Sequence, residues 1–305
     1  MACDVVCAGS LVLDAGAGPV SLGAPIGGGV LHEVDRVQLV PGGCAGNVSI
    51  VLSRMGLSAA VCSRVGDDSA GRLLRDALGR EGVDTTAVTP TPGEATSTAV
   101  VLRDPSGERS FLAAGGAHKG LTTEEVADAC ERLRPQAVLI GYFSRLPALE
   151  PDLPRLLEVL KEQGVTTAMD AGGDGGSMQA LSPCLPWLDV YAPSEIEARN
   201  QTGTADPSEM IRVFREHGAV GWLAITLGAR GSQVQAGPGE AVLHVPPADP
   251  LGPVVDTTGA GDAFTAGLIA GRLRGLNLRS AAQLAAQQAA RVVTQPGGHA
   301  GAILM

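Results

Sequence analysis

Aromatic residues are scarce in this chain: two tryptophans, two tyrosines and four phenylalanines make up 3% of 305 residues. So few rings leave little with which to stack bases or sugars. Positive charge is short as well. Twenty-two Lys and Arg stand against 32 Asp and Glu, a formal charge of −10, which argues against the basic footprint that nucleic-acid binding needs. A single bound nucleotide remains compatible, because helix N-termini and backbone N–H nests hold phosphates inside acidic proteins. No run of roughly 18 apolar residues occurs, and Met1-Ala2-Cys3-Asp4 has no basic region leading into an apolar one. Neither a membrane span nor a secretory leader is expected, and the expected location is the cytoplasm.

The six cysteines (Cys3, Cys7, Cys44, Cys62, Cys130 and Cys184) form no CxxC pair and no zinc-type spacing with histidine. Reduced thiols are therefore expected, with a Cys3–Cys7 bridge as the competing reading; the valines around that pair favour a buried strand. Two phosphate-binding fingerprints are also missing. No GxxxxGK[ST] occurs, and Phe264 stands where the third glycine of a GxGxxG beginning at Gly259 would fall.

What is present is an apolar content of 45% with abundant small residues, enough for a sizeable, closely packed core. Val5 to Ala8 reads as a buried strand, and 11–41 as Gly- and Pro-rich short strands outside a main sheet. Helices are expected over 47–55, 69–81, 123–133, 153–163, 208–217, 262–274 and 278–294. Strands are expected over 59–65, 137–140, 165–170, 190–191 and 222–226, with hairpins at 96–112 and 231–245. That alternation predicts a mainly parallel sheet between helices, with ligands beyond the C-terminal strand ends. The two β-rich interruptions, about 12–41 and 96–113, form a candidate lid on a single domain spanning 1–305. Gly172 to Gly176 is a loop without an assigned purpose.

The most informative segment is Asp256-Thr257-Thr258-Gly259-Ala260-Gly261-Asp262, leading straight into a helical pattern. A Gly-Ala-Gly run before a helix lets successive N–H groups converge on one point. A carboxylate in the same first turn suits phosphoryl transfer, where it accepts the proton of the attacking hydroxyl. The plain alternative is that Asp262 merely caps a buried helix.

Asp256 to Asp262 resembles the DTxGAGD signature of the ribokinase-like (PfkB-type) carbohydrate kinases. Gly42-Gly43-Cys44-Ala45-Gly46-Asn47 resembles their GGxxxN element, Val65-Gly66-Asp67-Asp68 with Gly71 their VGxDxxG, and Thr226-Leu227-Gly228 with Gly231 their TLGxxG. The resemblance implies an α/β three-layer fold with a small β-sheet lid. It implies ATP-dependent phosphotransfer, with Asp262 as base and the backbone of Gly259, Ala260 and Gly261 as anion hole. It makes Asp14, Gly43 and Asn47 sugar contacts, although Asp14 alone would pass for a turn residue and Asn47 for a helix cap. Pro193-Ser194-Glu195-Ile196-Glu197-Ala198 resembles the PNxxEA element that organises magnesium and phosphates. Glu197 matches its Glu and would act on Mg²⁺ through water, while Ser194 replaces its Asn. Thr226, Gly228 and Gly231 would meet ATP, and the loop 296–300, including Gly297, would border the adenine, with His299 either beside the purine or a surface histidine among glycines. A potassium-like ion often lies beside the anion hole in this family, which would place it at Asp256 and carbonyls near Gly297.

For the acceptor, Cys44 stands where some relatives have lysine, and His118 replaces Asn in a GGAN-like stretch. Arg103 and Arg109 lie in the candidate lid, as contacts to a charged substrate or as decoration of a solvated surface. A neutral sugar or sugar acid is the expected acceptor. The alternatives are a nucleoside kinase with a base wall drawn from Phe111, Tyr142, Phe143 and Trp187, a pyridoxal-type vitamin kinase, and a weakly catalytic ligand-binding regulator. Exposed lid edges would allow a homodimer.

Overall fold

A computed structural model describes residues 3–23, 29, 31–104 and 109–299. The strands are β1 (Val5–Gly9), β2 (Val12–Gly18), β3 (Arg36–Gly42), β4 (Ala59–Gly66), β5 (Asp84–Thr91), β6 (Thr98–Arg103), β7 (Arg109–Ala114), β8 (Ala137–Gly141), β9 (Thr166–Met169), β10 (Val190–Tyr191), β11 (Trp222–Thr226), β12 (Ser232–Gln235) and β13 (Leu243–Val245). The α-helices are α1 (Cys44–Arg54), α2 (Ser69–Arg80), α3 (Thr123–Leu133), α4 (Leu153–Glu162), α5 (Met178–Leu181), α6 (Glu195–Thr202), α7 (Pro207–Glu216), α8 (Ala260–Leu273) and α9 (Leu278–Val292).

One nine-stranded sheet runs β13-β12-β11-β10-β9-β8-β1-β4-β5, parallel from β11 to β5 and antiparallel at β12 and β13. Strands β1 and β8 are apolar and buried at every position because both faces are covered. Along β1, Val5 and Cys7 enter the layer with α1, α8 and α9, while Val6 and Ala8 enter the layer with α3, α4 and α7. The six cysteines are free and buried, so the Cys3–Cys7 bridge is absent. No helix among the described residues is long and apolar enough to cross a membrane.

Helix starts follow local chemistry. Asp68, Asp206 and Asn277 accept hydrogen bonds from the third residue beyond them, and Thr122 with Glu125 forms a reciprocal capping box. Helices α8 and α9 pack through small residues: a Cβ on Gly267 would stand 2.4 Å from the Cα of Ala285, so their backbones are in direct contact.

The sequence reading passed over β5. It lies at the sheet edge, half-exposed and containing Pro90, so it carries little of the apolar signature of its neighbours. The second sheet, β3-β2-β6-β7, gathers strands from two separated stretches of the chain. The connection within the expected 96–112 hairpin lies largely outside the described residues.

Candidate functional site

The segment 256–262 is a wall between two cavities. On one side, under the small sheet, lies a cavity of about 360 Å³ lined by Asp14, Gln38, Arg103, Asp256, Thr258 and Gly297, among others. On the other, beyond the C-terminal ends of the main strands, lies one of about 110 Å³ lined by Asp262, Gly259, Gly261, Asp170, Glu197 and Thr226, with Tyr142 and Ser194 beside them. Register explains the first. Asp14 and Gly16 of β2 pair with Val40 and Gln38 of β3 and with Ala99 and Val101 of β6, which puts these residues on one face.

Asp262 is not a helix cap. The cap of α8 is Gly259 in the left-handed conformation, without a side-chain bond, and Asp262 lies within the first turn, 3% exposed. Its Oδ2 accepts from Nδ2 of Asn47 at 2.7 Å, and the thiol of Cys44 hydrogen-bonds the same carboxylate. Burial raises its pKa, the bonds from Asn47 and Cys44 act the other way, and the charge of Glu197 raises it again. Gly259 has φ +73°, and a Cβ there would lie 2.0 Å from the carbonyl oxygen of Gly298. The turn that opens the first N–H groups of α8 therefore closes on the last described loop.

Asn47 does not cap α1 either; it sits inside that helix, and its contact is to the carboxylate rather than to the cavity. Its Oδ1 is buried without a partner. Gly43 caps α1 and lines neither cavity. Asp14 faces the larger cavity. Burial and the charges of Asp262 and Asp256 push its carboxyl up to about 7.

Ser194 takes on a different task from the amide expected at its position. Its Oγ accepts from the N–H of Glu197 at 3.3 Å, and Glu197 Oε2 accepts from the N–H of Ser194 at 2.7 Å, so the pair caps α6. Thr226 lines the smaller cavity, whereas Gly228 and Gly231 line neither; Gly231 turns the chain into β12 against the carbonyl of Val245. His118 is buried on the Ser97 hydroxyl, and His299 is buried with Nε2 on the Pro41 carbonyl at 3.2 Å. Burial lowers both imidazoles to about 4, so both are neutral near pH 7. Ala300 lies outside the described residues.

Asp170 is absent from the candidates above, and Tyr142 is among them in another role. Asp170 follows the last residue of β9 and lies fully inside the smaller cavity wall, its pKa raised well up by burial and by Glu197 and Asp262. The signal was there: an acid at the C-terminal end of a parallel strand, followed by glycines. Tyr142, read only as a base wall, has φ +59° and a ring packed on Gly172. The field of Asp262, then burial, keeps its phenol protonated. The 172–176 loop lies behind the cavity wall, with Gly172 on Tyr142, Gly175 against Glu197, and Gly175 O accepting from Gln201 Nε2 at 2.5 Å.

Three carboxylates converge on the smaller cavity, and no lysine or arginine lines it. That donor set fits a hard, oxygen-seeking cation such as Mg²⁺, held by Asp170 and, through water, by Glu197. A potassium-like ion at Asp256 does not fit. Oδ1 already takes Thr258 N–H at 2.9 Å and Arg109 at 3.2 Å, and Oδ2 takes Gly297 N–H at 3.1 Å with Arg103 at 3.8 Å. Burial raises the pKa of Asp256, but the hydrogen bonds from Thr258 and Gly297 and the field of Arg103 outweigh it, and the net shift is downward.

The sequence profile of the pfkB family carbohydrate kinases matches residues 3–303. A fructokinase of Klebsiella pneumoniae is 32% identical over 248 residues, covering 77% of this chain and 78% of its own. An Arabidopsis thaliana ribokinase complexed with ribose and ATP superposes with a TM-score of 0.82 at 24% identity, covering 100% of this chain and 96% of the other. A putative ribokinase II of E. coli in complex with ATP and Mg²⁺ gives 0.82 at 24% identity, covering 98% and 96%. At such identities the superpositions show a shared fold.

Gly259 and Gly261 separate structure from chemistry. A methyl on Gly259 meets Gly298 in a strained backbone, whereas one on Gly261 meets nothing within 4 Å. Gly259→Ala is expected to lower the midpoint of thermal unfolding by several degrees, a loss of about 1–3 kcal/mol. Gly261→Ala should leave that midpoint unchanged while reducing turnover, measured by scanning calorimetry beside an ATP-consumption assay.

Proposed function

The chain belongs to the PfkB family of carbohydrate kinases, and from that premise we propose that it moves the γ-phosphoryl group of ATP to a hydroxyl of a small sugar-like acceptor, with Asp262 as base. The observation that carries this reading is the position of Asp262: buried, tethered by Asn47, and opening on the same cavity as Gly259 and Gly261. The acceptor would lie against Asp14 in the larger cavity with its reacting hydroxyl reaching across segment 256–262 to Asp262, and the triphosphate end would enter the smaller cavity.

In this reading the acceptor hydroxyl gives its proton to Asp262 as its oxygen bonds the γ-phosphorus. The bond from that phosphorus to the bridging oxygen of ADP breaks. The N–H groups of Gly259, Ala260 and Gly261 face the phosphoryl oxygens as their charge redistributes. Thr226 and Ser194 border the phosphates. Mg²⁺, when bound, neutralises triphosphate charge. Tyr142, protonated and locked by Gly172, offers a further donor to the same space.

Asp14 would accept from acceptor hydroxyls, while Gln38, whose amide can donate and accept, faces the same cavity. No aromatic residue lines that cavity among the described residues, which favours a polyol over a nucleoside. Phe143 and Trp187 belong to the core of the opposite layer, and Phe111 packs under Arg109.

The outer face of the lid is uncharged. Register puts Ala17, Val37, Leu39, Ala15, Val100 and Leu112 on that face, with Val37 64% and Leu112 61% exposed. Such a surface supports a second copy as its partner, since a two-fold stack would oppose no like charges.

Replacing the base is the direct test. Asp262→Asn should reduce kcat by about a hundredfold or more, roughly 2.7 kcal/mol in the barrier, while ATP still binds; full activity in that variant would end the assignment. The pH profile tests Asp14. Its folded-state pKa lies above the ordinary carboxylate value, so its protonated form favours the fold, and that contribution is lost as pH rises through about 7. Ionised Asp14 is the form that accepts hydroxyl donors, so acceptor KM should fall as pH rises through that value, and Asp14→Asn should flatten the step. Sedimentation should give a dimer that Leu112→Glu converts to a monomer; a wild type that stays monomeric at all concentrations refutes the lid-face packing.

A further inference from the structure

The lid brings more positive charge to Asp256 than one carboxylate needs. Strands β6 and β7 place Arg103 directly opposite Arg109, an arrangement that repels unless an anion lies between. Asp256 is that anion. Arg109 Nη1 stands 3.2 Å from Oδ1 and Arg103 Nη2 3.8 Å from Oδ2, two positive groups against one negative. Arg109 reaches past the carboxylate as well. Nη1 donates to the Thr258 hydroxyl, and Nη2 donates to the Thr257 hydroxyl at 2.6 Å. Its guanidinium is steadied on its own strand by the Phe111 ring, 5.7 Å from the ring centroid.

A monovalent cation needs oxygens turned towards one point and no positive neighbour. At this position both carboxylate oxygens and both threonine hydroxyls are engaged by guanidinium or N–H donors. We infer that Arg109, with Arg103 beside it, supplies from the lid the positive charge that orders the anion-hole loop, so that turnover requires no monovalent cation. Residues 256–258 lead directly into Gly259 and Asp262, and the donors that fix their side chains arrive on lid strands. Arg109 is therefore a positioning residue: lid closure and completion of the anion hole are one event. This rests on the kinase reading above.

The test compares initial rates with K⁺, Na⁺ or tetramethylammonium as the only monovalent cation, in wild type, Arg109→Gln and Arg109→Lys. Wild type should run equally in all three. Arg109→Gln should lose about tenfold or more in kcat, regain part of it specifically in K⁺, and Arg109→Lys should recover activity without K⁺. Thermal unfolding without substrates gives a readout independent of turnover: K⁺ should shift the midpoint of Arg109→Gln and not that of wild type, because only a state-specific ligand stabilises. Stimulation or a midpoint shift of wild type by K⁺ overturns the inference. So does an Arg109→Gln variant whose whole loss falls in acceptor KM with kcat and cation response unchanged, which would make Arg109 a substrate ligand. A wild type that turns over no acceptor refutes the kinase reading instead, and the unfolding midpoints still decide this one.

Discussion

A carboxylate removed from water must be held in position and in a useful protonation state, and everything around Asp262 serves that requirement. Burial disfavours its charge, and only specific donors oppose that tendency. The donor with a fixed geometry is Asn47, on the second turn of a helix 215 positions away in the chain. That bond joins the helix after the first sheet strands to the helix after the last. The two helices lie in one layer on the main sheet and pack against each other, which brings their first turns together.

The same constraint explains the glycine turn. Gly259 presses on Gly298, and a Cβ on Gly298 would meet Asn47. The anion-hole turn, the last described loop and the tether are therefore mutually wedged, and a shift in one would move the carboxylate against its N–H groups. Precision at this junction comes from contact between backbones. Small residues are what allow it, and that accounts for a composition rich in glycine and poor in rings.

The chain announces some of this and hides the rest. Segment 256–262 is legible because its chemistry is local: small residues, then an acid, then a helix. Most helices and core strands are legible for the same reason, their periodicity being contained within each segment. The roles of Asn47 and Arg109 are not local. One is fixed by a partner on α8 and the other by partners 147 to 149 positions away, and no window of sequence contains both ends. Asp170 fell between these cases, since its position at a strand end was readable and its convergence with Glu197 and Asp262 was not. Ser194 shows a further limit. In the family pattern it stands as a departure, replacing an Asn, yet with Glu197 three residues on it is an ordinary capping pair.

The two cavities differ in how they treat charge, and the difference follows from their walls. The smaller is walled by the ends of parallel strands and by α8, contains only acids as charged groups, and so suits a cation. The larger has the small sheet as one wall, and that sheet brings Arg103 of β6 to it. The charged groups of one cavity are carboxylates, while in the other a carboxylate meets guanidinium groups, and segment 256–262 adjoins both. Under the proposed reaction the phosphoryl group would cross that segment, from a site whose carboxylates suit Mg²⁺ to one where guanidinium groups already hold the loop.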